Sequence, residues 1–411
     1  MINFLKKIFQ RNPILSLNYR VIIPVLFLCF MSLVILSSTS SDLDFFKSTF
    51  NRQLIWICIG TIVFFFSQFF KIQFFNEYAY YLYFFLLLSI LGTYFMPVKG
   101  GAQRWLELGP FTFQPSELGK LIMVFVIAKF LSDKHENKNQ IQLMLITLSL
   151  AIIPAYMVFR QPDLGTAIIY LVITYPMLYW SGVRPYYLFI FLAPIISILA
   201  AFNIVAFYLW MFLIIIVLFY SKPKIWEAVL HFVVNISFGL ITPYFWENIL
   251  YFHHRNRILT LLDPLRDPQG AGYQIIQSMT AIGSGGLWGK GLGEGTQTHL
   301  RYLPVRDTDF IISVSGEELG LLSIISILLL FIILIYWMLT YAQKTRNNFS
   351  SLIVIGFTTI LFIHLLVNMG MTVGVFPVTG LPAPFLSYGG SFLLTCIIMI
   401  GLTNNITNNE I

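Results

Sequence analysis

Long apolar runs recur along most of this chain, and they constrain its fold more than any other feature. Beginning near Val21, runs of roughly 17–25 residues follow one another to the C-terminus, and each is long enough to cross a bilayer as a helix. The chain is 57% hydrophobic and 10% charged, whereas a soluble domain has about 25% charged residues. We therefore predict an all-α, polytopic integral membrane protein with about 10–12 transmembrane helices, in which residues 1–411 form one membrane domain. The predicted spans are 21–38, 53–70, 78–96, 116–132, 141–159, 165–181, 186–203, 205–220, 226–249, 311–340, 350–370 and 386–404.

Basic residues predict how the chain is oriented. Lys6, Lys7 and Arg11 precede the first apolar run, which is typical of a retained signal anchor. The short loops that fall on the same side as the N-terminus are rich in Lys and Arg, as expected of cytoplasmic loops. Both termini are therefore predicted to be cytoplasmic. These loops also explain the formal charge of +7, so no nucleic-acid partner is expected.

Four polar segments fall together on the opposite, external side of the predicted membrane. The longest, about 250–310, is rich in glycine, with nine of the chain's 27 glycines between Gly270 and Gly295. A membrane protein has no packing reason to keep such a segment beside the bilayer, so we interpret it as an extracytoplasmic catalytic loop. A site assembled from several external loops is geometrically possible. The four segments are 97–115, Gln161–Asp163, 250–310 and 371–385.

Candidate site residues lie at the edges of the first two segments. Arg104 is either a phosphate ligand or a lipid-headgroup contact, and Trp105 is either a site residue or an interfacial anchor. Glu117 and Lys120 stand three residues apart on one predicted helix. They either neutralise each other at the membrane edge or line a water-filled cavity. Asp163 is predicted to cap the following helix, which is compatible with lining a site.

The long insert and the last polar segment supply the other candidates. Arg255 lies in a basic cluster, where lipid phosphates are an alternative partner, and Lys290 lies between glycines that let the backbone approach a ligand. Arg306 and Asp309 end the insert. Burial, with another carboxylate nearby, would raise the pKa of Asp309 and suit a general base; the alternative is an N-cap. Ser387 lies among prolines and glycines that indicate a re-entrant segment.

Two acidic residues follow Asp309 by about two helical turns. We expect Glu317 and Glu318 to form a polar network with Lys120 or with another cation. The adjacent His253 and His254 are a weak metal signal, because neighbouring side chains on a helix diverge. The residues alone leave the identity of any metal unknown.

Taken together, these segments resemble the SEDS family, the shape, elongation, division and sporulation proteins. The sequence motifs of the long insert resemble those of the rod-shape-determining, RodA-like members more than those of the division members. The resemblance implies a peptidoglycan glycosyltransferase that polymerises lipid II on the outer face of the bacterial cytoplasmic (inner) membrane during cell elongation. It also implies a class B penicillin-binding protein (a PBP2-like transpeptidase), the elongation machinery and membrane lipids as partners. The motifs that carry it, in the family's order from residue 100 onward, are GAQRW, QPSELGK, QPDLGTA, GAGYQIIQS, AIGSGG, GTQTHLRYLPVRDTDF, GEELG and LPAPFLSYGGS.

The resemblance implies roles for individual residues. Asp309 matches the family's essential aspartate, whose implied role is to deprotonate the acceptor sugar hydroxyl while undecaprenyl diphosphate leaves. Basic residues, with a divalent cation such as Mg²⁺ or Mn²⁺, would neutralise that diphosphate, and no organic cofactor is expected. The residues assigned to substrate binding are Arg104, Trp105, Glu117, Lys120, Asp163, Arg255, Lys290, Arg306 and Ser387.

The chain departs from the family pattern at two places, and two rival functions stay open. Many members have histidine where this chain has Asp307, which adds negative charge beside Asp309. An extra helix pair is predicted within 186–249, where Asn203 separates two spans. A lipid II flippase would need access from both faces, and the cytoplasmic loops are short for a second site. A non-catalytic scaffold for a class B penicillin-binding protein would tolerate Asp309→Asn.

Overall fold

The computed structural model describes residues 16–40, 48–98, 103–108, 111–133, 139–248, 259, 263–270, 272–300 and 302–410. Its architecture is that of an all-α polytopic membrane protein. Among the described residues, nine helices are long and apolar enough to cross a membrane. These are α1 (Tyr19–Thr39), α2 (Thr49–Ser67), α3 (Ile72–Thr93), α5 (Gln140–Phe159), α9 (Ile204–Ser221), α10 (Ile225–Asn248), α14 (Gly320–Lys344), α15 (Asn348–Thr372) and α16 (Gly390–Glu410).

Three further helical stretches complete the correspondence with the predicted spans. Helix α4 (Pro115–Asp133) has ample length but carries four charged residues. Helices α6 (Leu164–Val172) and α7 (Thr174–Trp180) follow one another as one shorter apolar stretch, and α8 (Pro185–Ala200) is another. Each of the twelve predicted spans therefore overlaps an observed helical stretch.

The prediction was wrong about where the span after the long insert begins. The predicted 311–340 is divided into α13 (Ile311–Glu318) and α14. The break falls at Gly320, whose φ is +76° and where a Cβ would press against the backbone of residues 287–289. Only glycine accepts both the positive φ and this close approach. Helix α13 is thus a separate element outside the span.

Small elements lie between the long helices. Strands β1 (Leu106–Leu108) and β2 (Phe111–Phe113) pair antiparallel, with Leu106 opposite Phe113. This short hairpin is a departure from a purely helical chain. The long insert contains a 3₁₀ turn (Pro264–Arg266), α11 (Tyr273–Gly285) and α12 (Thr296–His299).

The centre of the bundle is formed by α15 and α16. Of their apolar windows, 78% and 72% respectively are buried within the protein. Helix α15 packs on α4 and α14, and α16 packs on α2 and α4. The loop that joins α15 to α16 therefore emerges from the middle of the bundle, where it meets the ends of several helices.

Helices α8, α9 and α10 form a second, smaller group. They contact one another, and α8 contacts α7. Inside the group, the Ser197 hydroxyl donates to Asn235 Oδ1 at 2.7 Å, and the Trp210 indole donates to Ser197 at 2.9 Å. Such hydrogen bonds between apolar helices satisfy polar groups away from lipid. That this region contains an extra helix pair relative to the family that the sequence resembles stays a prediction.

Candidate active site

Four of the polar segments singled out in the sequence meet at one end of the helix bundle. They enclose a cavity of about 420 Å³, called here the Asp309 cavity. Its walls come from the loop before α4, the start of α6, the turn before α13 and the loop before α16. The predicted site residues that line it are Arg104, Trp105, Glu117, Asp163 and Asp309.

The backbone of residues 307–309 is held by the loop that precedes α16. The Tyr388 N–H donates to the carbonyl of Asp307 at 2.9 Å. The Ser387 hydroxyl donates to the carbonyl of Thr308 at 2.5 Å. Two adjacent carbonyls are thereby bonded to two adjacent residues of the neighbouring loop, which fixes the turn that presents Asp309.

Asn368, on α15, completes this arrangement. It is fully buried, and its amide Nδ2 donates to the carbonyl of Asp309 at 3.0 Å and to that of Leu381 at 2.8 Å. One side chain therefore ties the turn, the loop before α16 and the central helix together. The three donors on Asn368, Ser387 and Tyr388 are called the clamp below.

The Asp309 side chain lies in a partly buried position on the cavity wall. Burial raises the pKa of its carboxyl above the usual value, and a hydrogen bond from the Thr308 side chain acts in the opposite direction. The alternative interpretation, an N-cap, is wrong: the N-cap of α13 is Phe310, and no side chain caps that helix. The Asp309 side chain therefore does not cap α13, and it lines the cavity.

Glu117 and Lys120 form the predicted ion pair. Lys120 Nζ lies 2.8 Å from Glu117 Oε2 and 3.0 Å from His364 Nε2. The other ring nitrogen of His364 donates to the carbonyl of Pro382 at 3.2 Å. Glu117 lines the cavity, whereas Lys120 is fully buried behind it. Both interpretations therefore hold: the two charges neutralise each other, and Glu117 lines a cavity.

Arg104 and Asp163 approach each other across the cavity rim. Their nearest charged atoms are 3.9 Å apart, and Arg104 Nε also donates to the carbonyl of Gln161 at 3.0 Å. Asp163 accepts from the N–H of Thr166 at 3.3 Å, so the predicted helix cap is confirmed. The same carboxylate accepts from Gln114 at 3.1 Å. Asp163 is a cap and a cavity-lining residue at once.

Lys290 lies in a different network. Its ammonium is 2.9 Å from Glu317 Oε1, and the buried Glu317 carboxylate also accepts from the N–H groups of Gln297 and Thr298 at 2.9 and 3.0 Å. Burial alone would raise the pKa of Glu317, but these hydrogen bonds outweigh it and the net pKa is lowered. The cation that Glu317 binds is therefore Lys290, not Lys120. Lys290 is not among the residues that line the Asp309 cavity.

The remaining predicted substrate contacts are engaged elsewhere or lie outside the described residues. The Arg306 guanidinium donates to the carbonyl of Thr298 and, at 3.0 Å, to that of Thr39. Ser387 is buried and uses its hydroxyl in the clamp. Arg255 lies outside the described residues.

Trp56 also lines the Asp309 cavity, and the sequence analysis did not select it. It lies on α2, inside a span rich in aromatic residues. Its position beside Gly390, where a Cβ would press against the indole, depends on the packing of α2 against α16. The contact between Trp56 and Gly390 cannot be predicted from the residues next to either position in the sequence.

The charge of the cavity bears on the expected divalent cation. Three carboxylates, Glu117, Asp163 and Asp309, line it with one guanidinium, Arg104. Among the residues that the structure describes, no three His, Cys, Asp or Glu side chains are grouped closely enough to hold a metal by themselves. The donor set fits a hard cation held by one or two carboxylates together with phosphate oxygens of a bound substrate, as is usual for Mg²⁺.

Comparison with known proteins defines the class to which this fold and site belong. The chain matches the family described as "Cell cycle protein", the family of FtsW, RodA and SpoVE, over residues 18–210 and 185–411. Since the two matches together cover nearly the whole chain, the protein belongs to this family.

Individual relatives are similar over nearly their whole length. The chain is 33% identical over 380 residues to the peptidoglycan glycosyltransferase MrdB of Escherichia coli strain K12, covering 92% of this chain and 90% of MrdB. It is 31% identical over 396 residues to stage V sporulation protein E of Bacillus subtilis strain 168, covering 94% and 95%.

Solved structures share the fold. A chain of a peptidoglycan synthase complex, described as coordinating polymerization and crosslinking, superposes with a TM-score of 0.73 at 26% identity, covering 97% of this chain and 99% of that one. The rod shape determining protein RodA of Thermus thermophilus superposes with a TM-score of 0.63 at 22% identity, covering 96% and 98%.

We expect Glu317→Gln to lower the thermal unfolding midpoint of the purified protein at neutral pH. The substitution removes the ion pair with Lys290 and weakens the bonds from residues 297 and 298, at a cost of about 1–3 kcal/mol. Because the pKa of Glu317 is lowered in the folded state, its contribution is present above the ordinary glutamate pKa and is lost as pH falls through the lowered pKa. The difference from wild type should therefore shrink in acid.

The matched control is Glu294→Gln, which changes an exposed acid in the same segment. It should leave the midpoint unchanged. Equal midpoints for wild type and Glu317→Gln at neutral pH would show that the Glu317 network does not stabilise the fold.

Proposed function

We propose that this protein is a peptidoglycan glycosyltransferase that polymerises lipid II into glycan strands during cell elongation. The observation that carries the proposal is Asp309, a partly buried carboxylate with a raised pKa, held by the clamp at the wall of a cavity at one end of a membrane bundle. Two relatives that match this chain over 90% of their length, from Escherichia coli and Shigella flexneri, carry the name peptidoglycan glycosyltransferase. Their similarity supports the assignment of the same chemistry to this site.

In the proposed reaction, Asp309 is the general base. Its carboxylate takes the proton from a hydroxyl of the acceptor sugar, and the hydroxyl oxygen forms a bond to the anomeric carbon of the donor. The bond from that carbon to the diphosphate breaks, and undecaprenyl diphosphate leaves with the electron pair. A carboxylate whose pKa is raised toward neutrality accepts this proton more readily than an ordinary one.

The leaving diphosphate requires positive charge. Arg104 lies on the cavity wall but is partly neutralised by Asp163, 3.9 Å away. We therefore propose a divalent cation, Mg²⁺ or Mn²⁺, held by cavity carboxylates and the diphosphate itself. When bound, such an ion would stabilise the charge that develops on the leaving group.

We also propose a location and partners. The protein is placed in the bacterial inner membrane with both termini in the cytoplasm, which puts the Asp309 cavity on the external face. A class B penicillin-binding protein of the PBP2-like type, within the elongation machinery, would cross-link the strand. The similarity to a chain of a synthase complex that couples polymerization and crosslinking supports such a partner.

We expect Asp309→Asn to abolish polymerisation of lipid II. Asparagine keeps the shape of the side chain but cannot accept the proton, and loss of a general base lowers the rate by roughly 10²–10⁴-fold. The measurement is glycan polymer formed by purified protein with Mg²⁺, lipid II and a partner whose own transglycosylase is inactive. Asp133→Asn is the matched control, because Asp133 lies at the opposite end of α4 from Glu117 and is paired with Lys129.

The outcomes separate the rival functions. Equal polymer from wild type and Asp309→Asn would remove Asp309 from the mechanism. If neither wild type nor Asp133→Asn forms polymer while the partner is bound, the enzymatic proposal fails, and transport of lipid II or scaffolding of the partner takes its place.

A second expectation concerns pH. The Thr308 side chain favours the charged form of Asp309, so Thr308→Val should raise the pKa of the base further. The acid limb of kcat/KM should then move to higher pH, since a base works only when deprotonated. Thr308→Ser keeps a hydroxyl and should leave the limb close to wild type. An acid limb at the same pH in Thr308→Val and wild type would contradict this assignment.

A further inference from the structure

The glycine-rich turn between α11 and α12, residues 286–293, exposes two large apolar side chains. Trp288 is 80% exposed and Leu287 is 60% exposed. The turn contains no acidic residue, and its one cation, Lys290, is paired with Glu317. Neither apolar side chain lines the Asp309 cavity. The turn therefore presents an apolar surface that the proposed chemistry does not use.

The backbone of this turn is fixed to the break between α13 and α14. Four main-chain hydrogen bonds join the two, and a Cβ at Gly289, where φ is +82°, would press against the carbonyl of Glu318. The two apolar side chains thus keep a set position relative to the first turn of α14. The bonded pairs, donor first, are Lys290–Glu317, Gly291–Glu318, Leu321–Gly286 and Leu322–Leu287, at 2.9–3.3 Å.

Helix α14 shows at which depth of the bilayer this turn lies. Only 28% of its apolar window is buried within the protein, so most of the helix faces lipid. Tyr336 and Trp337 lie near its far end, and such aromatic residues mark a membrane interface. Gly320 lies about 26 Å along the helix from Trp337 at 1.5 Å per residue, and the hydrocarbon layer is about 30 Å thick. The second interface therefore falls close to Gly320.

We propose that Leu287 and Trp288 form an interfacial anchor, which lies in the headgroup region of the bilayer beside the first turn of α14. The exposed side chains of Leu321 and Leu322 belong to the lipid-facing surface of α14, and the turn is bonded to the backbone of both. The anchor therefore continues a surface that lipid already covers. An indole is suited to this depth, because its ring is apolar while its N–H remains hydrated.

Contacts link the anchor to the turn that presents Asp309. Lys290, in the same glycine-rich turn, pairs with Glu317, whose carboxylate accepts from the N–H of Thr298 at 3.0 Å. The Thr298 carbonyl accepts from Arg306, three residues before Asp309. The anchor would thus hold the site at a set height above the hydrocarbon layer. This inference requires only that α14 crosses the membrane, and it does not depend on the proposed reaction.

The first test measures the depth of position 288 in the bilayer. Trp288→Cys carries an environment-sensitive fluorophore in a Cys58→Ala background, which leaves two buried cysteines. The protein is placed in nanodiscs whose phospholipids carry a nitroxide either near the headgroup or at the end of the acyl chain. Leu265→Cys is the matched control, because Leu265 is 74% exposed in the same insert but lies between charged residues. Leu329→Cys, 53% exposed on α14, is the control for a deep position.

The expected result places position 288 between the two controls. The headgroup nitroxide should quench the probe at 288 at least threefold more than the probe at 265, and aqueous iodide should quench it at least threefold less. The probe at 329 should be quenched most by the nitroxide at the end of the acyl chain.

A second measurement requires no label. Brominated lipids quench an indole on contact, and the difference in tryptophan emission between wild type and Trp288→Phe isolates Trp288 from the other tryptophans. Phenylalanine keeps an aromatic ring at an exposed position, so the fold should be retained. We expect brominated lipid to lower this difference signal at least twofold relative to unbrominated lipid.

Two outcomes would overturn the anchor. Equal iodide quenching at 288 and 265, with no quenching at 288 by either nitroxide lipid, would place the turn in water. Shielding of position 288 only after a penicillin-binding protein is added would assign the surface to that protein. Neither readout uses turnover, so failure of the anchor leaves the proposed glycosyltransferase activity to its own test.

Discussion

The site depends on three hydrogen bonds to three consecutive carbonyls. The clamp residues Tyr388, Ser387 and Asn368 bond residues 307, 308 and 309 in turn. Two of these donors belong to the loop between α15 and α16, and the third to α15 itself. Since most of the apolar window of each of these two helices is buried within the protein, the turn that presents Asp309 is tied to the core of the bundle.

A second network fixes the segment that precedes the clamped turn. The buried Glu317 carboxylate pairs with Lys290 and accepts hydrogen bonds from backbone N–H groups in the first turn of α12. The Thr298 carbonyl in that turn then accepts from Arg306, which precedes the clamped turn directly. Charges that the sequence suggested as substrate contacts, Lys290 and Arg306, thereby hold the loop in place. Among the residues that line the Asp309 cavity, Arg104 is the one that carries a positive charge.

The sequence predicted the helices well and the partners of charged residues less well. Span length and composition are local properties, so each predicted span overlaps an observed helical stretch. The break at Gly320 was missed because its cause is the backbone of residues 287–289, far away in sequence. The cap at Asp163 and the Glu117–Lys120 pair were predictable because they are formed within a few residues. Tertiary packing decides which basic side chain pairs with Glu317. It also decides that Trp56 borders the cavity.

The clamp binds main-chain carbonyls and makes no use of the side chains of residues 307 and 308. Any amino acid supplies the same carbonyl, so the side chains at these two positions can be exchanged without loss of the hydrogen bonds that hold the turn. The clamp thus fixes the backbone of the turn independently of the side chains that residues 307 and 308 carry, so a new side chain beside Asp309 would leave the hydrogen bonds of the turn intact.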